Sequence, residues 1–589
     1  MCGIAGVMMV DGSAPDPAFL EQLRAGIAHR GPDGEGRLVR EGVALLHNRL
    51  AIVDLATGDQ PLYAPSGAAL VANGEIYNNP ELRAAMAGTP FRTRSDCEPA
   101  VFLYERDGDS FADSLRGMYA IAVHDPRRNR LVLARDPFGI KPLYYTSTER
   151  CFAFASEPHA LRRPGPELRA TPTAELLQLK FTTGAETIFP GVMRVLPGET
   201  LVVERGRIVA RRHREALPQG GPRAVDAETA LEALERVLLD ATTVHLRADV
   251  PYGLFLSGGI DSAALLALMT RATGTRVHAF TCGWEGGGAR DESREAERLA
   301  RAMGAQCERV EMSRRDFWEL APRIAAAIDD PTADAAVLPT WMLGRAARAA
   351  GVKVTLCGEG GDELFGGYAR YRKCRPPLAW FAGQPRGRGV FSDLAGFAGW
   401  RDGLGAVERT AAPGRSRLQA TQAADIAEWL PNDLLNKLDR CLMAHAVEGR
   451  TPFLDPVVAD FAFRLPDRLK ASLKFGKVLL RRWLAGAFPE AGAWAKKQGF
   501  KPPVGAWMAG AFPEAGAATL SELVAAEPGV AARVPPERVA AAFAAAERSP
   551  QPAWSLLFFA LWHAHHALGV DPSGDIATVL SEARASASP

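Results

Sequence analysis

From residue 1 to about 205 the chain alternates short apolar runs with turn-forming residues. ALLHNRLAIVDL, AALVANGEIY, MYAIAVHD, RLVLARD and CFAFASE are set apart by Gly, Pro and Asp. That pattern predicts many short strands in packed sheets, with few long helices. LPGETLVVERGRIVARRH predicts a closing hairpin with Arg205-Gly206 at its turn. Residues 214–226, REALPQGGPRAVD, are rich in Pro and Gly and read as a linker.

The period then changes. AETALEALERVLLDATTVHLRA carries apolar residues at helical spacing. PYGLFLSGG is a strand that ends in a Ser-Gly-Gly turn, and IDSAALLALMTRATG continues as a helix. VHAFTCGW and ESREAERLARAMGA repeat strand then helix, and VKVTLCGEGGDE repeats strand then glycine turn. Such alternation predicts a parallel sheet covered by helices on both faces. From about 375 onward the chain is mostly helical and Ala-rich, and the final SEARASASP reads as disordered.

Composition narrows the class. The chain has 589 residues, too many for one core, so two or more domains are expected. A formal net charge of +1 argues against a nucleic-acid-coating surface. The eight cysteines are scattered without CxxC or metal-ligand spacing, which excludes a disulfide framework. The N-terminus lacks the features of a signal peptide. WSLLFFALWHAHHALGV, Trp554 to Val570, is short for a membrane span and carries three histidines, so it predicts a buried helix. These readings together predict a reduced, cytoplasmic protein with no membrane or nucleic-acid partner.

The chain begins Met1-Cys2-Gly3. Removal of Met1 would place a thiol and a free α-amino group on one residue. That amine has a pKa of about 7.7–8.0 and can act as a general base for its own thiol. Alone, a second-position Cys carries little. Here it is followed by His29-Arg30-Gly31-Pro32-Asp33, Arg49-Leu50-Ala51-Ile52-Val53-Asp54, Asn73-Gly74-Glu75-Ile76-Tyr77-Asn78, Ser95-Asp96 and Arg135-Asp136-Pro137-Phe138-Gly139. In that order these segments resemble the class-II glutamine amidotransferases, a branch of the N-terminal-nucleophile hydrolases. The resemblance implies that Cys2 attacks the side-chain amide of glutamine. Asn73 and the Gly74 N–H would bind the oxyanion. Arg49 would fork onto the substrate carboxylate, Asp96 and Glu75 would hold its ammonium, and Leu50, Ile52 and Val53 would complete the glutamine pocket. Cys97 stands where relatives more often have Thr.

Leu256-Ser257-Gly258-Gly259-Ile260-Asp261-Ser262 lies between a predicted strand and helix. A glycine turn there aims backbone N–H groups and a helix N-terminus at an anion. An acid in such a turn requires a cation, which assigns Asp261 to Mg²⁺. The loop is neither a Walker A nor a GxGxxG sequence. It resembles the pyrophosphate loop of enzymes that cleave ATP to AMP and PPi. Cys357-Gly358-Glu359-Gly360-Gly361-Asp362-Glu363-Leu364-Phe365-Gly366-Gly367-Tyr368, Glu448-Gly449-Arg450-Thr451-Pro452-Phe453-Leu454-Asp455, Phe475-Gly476-Lys477 and Lys497-Gln498-Gly499-Phe500-Lys501 then match blocks of the asparagine synthetases, in their long bacterial form.

This resemblance implies an ATP site of Leu256, Ser257, Gly258, Gly259, Asp261, Ser262, Cys282, Cys357, Gly358 and Lys477. It makes Asp362 a second Mg²⁺ ligand and sets Glu359 against the acyl-adenylate or the attacking ammonia. Relatives usually have Ser at the place of Cys357, and a thiol is the weaker donor. The expected architecture is α/β and multidomain. An αββα N-terminal-nucleophile sandwich at 1–213 and the linker at 214–226 precede a doubly wound parallel-sheet ATP pyrophosphatase domain with a helical C-terminal part at 227–570. Residues 571–589 are expected to be a flexible tail. The expected reaction is glutamine-dependent, ATP-driven amidation of aspartate. A homodimer is implied by the resemblance alone. The acceptor region is expected near Asp329-Asp330-Pro331-Thr332-Ala333-Asp334. Three alternatives stay open: another carboxylate acceptor such as a small peptide or cell-envelope precursor, a β-lactam-forming relative without glutaminase, and a silent scaffold.

Overall fold

The computed structural model describes residues 2–162, 165, 167–285, 291–380, 386–391, 397, 399–495, 502–509 and 519–586. The late-loop residues Lys497-Gln498-Gly499-Phe500-Lys501 lie outside them. The first unit holds two six-stranded antiparallel sheets. Alternation along the strand Gly3–Met9 shows why they stack. Ile4 and Met8 face the second sheet, in a core with Val71, Ala120 and Leu133, while Ala5 and Val7 pack on the helix Pro17–Ile27. The helix Glu98–Asp107 covers the outer face of the second sheet through Val101, Leu103 and Tyr104. The layers are therefore α, β, β, α. The expected hairpin forms from Glu199–Glu204 and Arg207–His213.

The second unit is built on a five-stranded parallel sheet. Its order is Gln306–Met312, His278–Trp284, Tyr252–Phe255, Val354–Leu356, Glu448–Arg450. The order reverses direction between Tyr252–Phe255 and Val354–Leu356. Ligands of such sheets bind at this reversal, beyond the carboxyl ends of the strands, and the loops at 256–262 and 357–362 emerge there. Helices Ala227–His245 and Ile260–Thr273 cover one face, and Arg314–Ala327 and Val337–Ala349 the other.

One apolar cluster runs without a break from the outer face of the first sheet to the second unit. Phe189 of the first unit packs on Trp562, with ring centroids 5.5 Å apart. Trp562 belongs to Pro550–His566, the buried helix expected from its apolar run. The expected flexible tail at 571–589 is corrected for its described part. Ile576–Ser586 is a helix whose Ile576, Val579, Leu580 and Ala583 are buried. Their i, i+3, i+4, i+7 spacing makes one apolar stripe, which the Ala- and Ser-rich composition disguised. No helix among the described residues is long and apolar enough to cross a membrane.

Candidate active sites

Cys2 opens the strand Gly3–Met9 and is 8% exposed. Its backbone nitrogen donates to Asn73 Oδ1 at 3.1 Å. Asn73 lies on Ala69–Ile76 in the facing sheet, fully buried, and its Nδ2 finds no hydrogen-bond partner among the described residues. A buried donor left unmatched costs about 1–3 kcal/mol. Beside a nucleophile, such a donor is what a developing oxyanion requires. Gly74 follows. A Cβ there would lie 2.3 Å from the Met118 carbonyl oxygen and 2.7 Å from Tyr119 Cα, so its pairing with the strand Gly117–Asp125 admits no side chain. Burial pushes the Cys2 thiol up, while the Leu50 N–H and Arg49 pull it back. The resting sulfur therefore needs a base, the role assigned to the α-amine.

Arg49 is buried and donates to Asp59 at 2.8 Å and to the carbonyls of Val53 and Asp54. Asp59 is 78% exposed in its side chain, so a ligand carboxylate can replace it on the guanidinium. Asp96 accepts from the Ile76 N–H at 2.7 Å, and burial pushes its carboxyl up. Two assignments change. Glu75, expected to hold an ammonium, is committed to Arg450 of the second unit at 2.9 Å. Leu50 and Ile52 pack with Val354, Met443 and Ala446, and Val53 flanks that cluster. Their side chains build the seam between the units, so any contact with glutamine falls to their backbone.

On the ATP side, Leu256 pairs with Phe280 of the next strand through an N–H to carbonyl bond of 2.9 Å. The Ser257 N–H and hydroxyl both meet Ser262 Oγ at 3.2 Å, closing the loop on itself. Gly258, with φ of +70°, turns the chain, and Gly259 caps the helix Ile260–Thr273. Asp261 then meets Lys477, 216 residues away. The Lys477 ammonium bonds both Asp261 and Asp362, the latter at 2.6 Å. Lys477 holds φ of +55° at the start of the helix Val478–Ala487, a conformation that costs about 1 kcal/mol or more for a residue with a side chain. A Cβ on Gly367 would lie 1.7 Å from Asp362 Oδ1 and 2.4 Å from Lys477 Cε, so this acid–lysine cluster sits directly on bare backbone.

Gly358 leads from Cys357 toward the same place, where an added Cβ would lie 3.1 Å from Asp261 Cβ. Burial, then Asp261 and Asp362, push the Glu359 carboxyl up, against the pull of Lys437. The Cys357 thiol points to the Thr355 carbonyl, while its N–H donates to the Arg450 carbonyl at 2.8 Å. The loop is held by backbone, which tolerates the Ser-to-Cys difference. Cys282 lies on His278–Trp284 with its thiol buried in the apolar core and pushed up to about 12 by that burial. Only its backbone can serve a nucleotide.

The region expected to hold the acceptor is largely structural. Asp329 pairs with Arg440 at 3.0 Å and His159 at 2.8 Å. Asp330 pairs with Arg194 at 2.6 Å and accepts from the Tyr144 hydroxyl at 2.8 Å. Both acids clamp the second unit to the first. Asp334 remains, paired with Lys437 at 3.0 Å. Sequence reasoning assigned no role to Arg30, Asp439 or the side chain of Arg450. Arg30 and Arg450 sit inside quoted motifs, which was a usable signal, whereas Asp439, in the plain helix Asn436–Met443, gave none.

The fold and the two sites define the class: an N-terminal-nucleophile glutamine amidotransferase unit joined to a parallel-sheet synthetase unit. Comparison with known proteins supplies the family. The model described as a glutamine amidotransferase domain matches residues 1–214, and the model described as asparagine synthase matches 233–564. The chain belongs to the asparagine synthase family. It is 31% identical over 560 residues to the glutamine-hydrolyzing asparagine synthetase 1 of Bacillus subtilis, spanning 86% of this chain and 87% of that protein. It is 29% identical over 527 residues to asparagine synthetase B of Escherichia coli, spanning 86% and 83%. Amidase chry2 of Gibberella zeae is 28% identical over 559 residues, spanning 80% and 83%.

Proposed function

We propose that the chain hydrolyses glutamine at Cys2 and uses the ammonia to amidate a carboxylate activated by ATP, with aspartate as acceptor and asparagine, glutamate, AMP and PPi as products. The observation that carries this reading is the pairing, in one packed chain, of a buried nucleophile beside an unmatched amide donor with a lysine–carboxylate cluster at the sheet's switch point. Cys2 attacks the amide carbon of glutamine, Asn73 Nδ2 and the Gly74 N–H receive the oxyanion, and the departing nitrogen leaves as ammonia. Water then releases glutamate from the thioester. At the second site the acceptor carboxylate attacks the α-phosphorus of ATP, and Lys477 meets the charge of the leaving pyrophosphate. Ammonia attacks the acyl-adenylate, and Glu359, its carboxyl raised by burial, takes a proton as AMP departs.

Asp261 and Asp362 offer the hard oxygen ligands that Mg²⁺ prefers, and this pair, brought together by Lys477, fits such an ion. When bound it neutralises charge on the phosphates.

A second reading keeps the chemistry and changes the acceptor. It is favoured by the engagement of Asp329 and Asp330 in clamps and of Asp334 with Lys437, which leaves every acid of that loop already committed to a partner inside the protein. The test is pyrophosphate release from Mg-ATP and glutamine, comparing aspartate, no acceptor and a panel of other carboxylates. Asparagine formed in step with PPi supports the first reading. Glutaminase without aspartate-dependent PPi rejects it and favours the second. Absence of both activities rejects the amidotransferase reading itself.

A further inference from the structure

The residue that holds the main chain of Cys2 is anchored in the other half of the protein. Arg30 Nε donates to the Cys2 carbonyl at 3.1 Å. Its two terminal nitrogens fork onto Asp439, Nη1 to Oδ2 at 2.8 Å and Nη2 to Oδ1 at 3.1 Å. Arg30 and Asp439 are both buried. An end-on fork of this kind fixes the plane of the guanidinium as well as its position, and with the plane fixed, the direction of Nε is fixed too. Glu157 also touches Arg30, at 2.7 Å, but the same Oε1 is shared with Arg440 and His29. Asp439 Oδ2 also meets Arg440, at 3.3 Å, but Asp439 is the partner that takes Arg30 in a two-point fork.

Asp439 belongs to Asn436–Met443, a helix of the synthetase half. The helix is firmly seated: Leu438, Cys441 and Leu442 lie in the large core, and Asn436 Nδ2 donates to the Asp330 carbonyl at 2.7 Å. Two residues before Asp439, Lys437 pairs with Asp334 and lies close enough to Glu359 for their charges to interact. Positions two apart on an α-helix point about 200° apart. One side of the helix thus faces the loop of the synthetase site and the other faces the nucleophile.

We propose that Asp439 is a positioning residue for the glutamine site, by which the helix Asn436–Met443 of the synthetase half sets the geometry of Cys2 through Arg30. The inference rests on the glutaminase reading above. The order of contacts is Asp439 to the Arg30 fork, Arg30 Nε to the Cys2 carbonyl, and from that carbonyl to the direction of the Cys2 side chain. Replacing Asp439 by Asn puts an amide donor against a guanidinium donor and breaks one arm of the fork. Substrate anchoring by Arg49 and Asp96 is untouched.

The experiment measures three quantities in the full chain: glutaminase kcat, glutamine KM, and pyrophosphate release supported by ammonia. Wild-type chain lacking glutaminase would sink the underlying reading and not this inference specifically. Given an active wild type, Asp439→Asn is expected to lower glutaminase kcat by about 10- to 100-fold, the scale of a displaced reacting group. Glutamine KM and ammonia-supported release should stay within about twofold. The double variant with Arg30→Lys should be no slower than Arg30→Lys alone, because both act through one contact. Unchanged glutaminase kcat, an equal loss of ammonia-supported release, or multiplying losses in the double variant would each overturn the proposal.

Discussion

Replacing Asn73 with Asp separates two roles of one side chain. In the folded protein Asn73 Oδ1 accepts from the Cys2 nitrogen at 3.1 Å, while the buried Nδ2 has no hydrogen-bond partner among the described residues. Aspartate has almost the same shape. It keeps an oxygen for the Cys2 nitrogen and replaces the donor with a second acceptor. If Asn73 only steadies Cys2, the variant should retain its rate. If Nδ2 stabilises the oxyanion, the variant loses that donor and sets a negative charge against the one that develops. Removing one such donor costs about 10²–10³ in kcat, or about 2.7–4 kcal/mol, and the added repulsion makes Asp at least as slow as Ala. The assay is glutamate release at saturating glutamine, with ammonia-supported pyrophosphate release as the internal measure of an intact second site. A variant within about fivefold of wild type in kcat would refute the oxyanion assignment.

Three further outcomes follow from the geometry. Lys477→Met leaves Asp261 and Asp362 without the ammonium that joins them. ATP-dependent pyrophosphate release should fall about 10²- to 10³-fold while glutaminase persists, and an undiminished rate would remove Lys477 from the site. Leu580 is fully buried in the C-terminal helix, so Leu580→Ala should destabilise the fold by about 2–5 kcal/mol; an unchanged thermal midpoint would show that the helix does not contribute to stability. Burial pushes the Glu428 carboxyl from 4.5 up to about 7. The folded state therefore holds this proton more tightly than the unfolded chain, and the resulting stability is present below about pH 4.5 and lost as pH rises through about 7. Glu428→Gln removes the effect, so its urea midpoint should fall less than that of wild type between about pH 5 and about pH 8; equal falls would exclude Glu428 as the source.

The sequence by itself determined the strand-and-turn alternation of the first unit and the strand–glycine–helix loops of the second, and it marked Cys2, Asn73, Arg49, Asp261 and Lys477 as candidates through the motifs they sit in. Those features are legible because they are local. A period of two or 3.6, a glycine that admits no side chain and a helix start are each written within a few neighbouring positions.

Only the tertiary structure decided which charges meet. Lys477 reaches Asp261 across 216 positions, Arg450 reaches Glu75 across 375, and Arg30 reaches Asp439 across 409. Glu75 looks the same in sequence whether it holds a substrate ammonium or an internal arginine. Asp329 and Asp330 look the same whether they line an acceptor pocket or clamp two domains. An ion's partner depends on which elements pack face to face and on how much water that packing removes. No local pattern encodes that choice, so the wiring between the two sites appears only once the chain is folded.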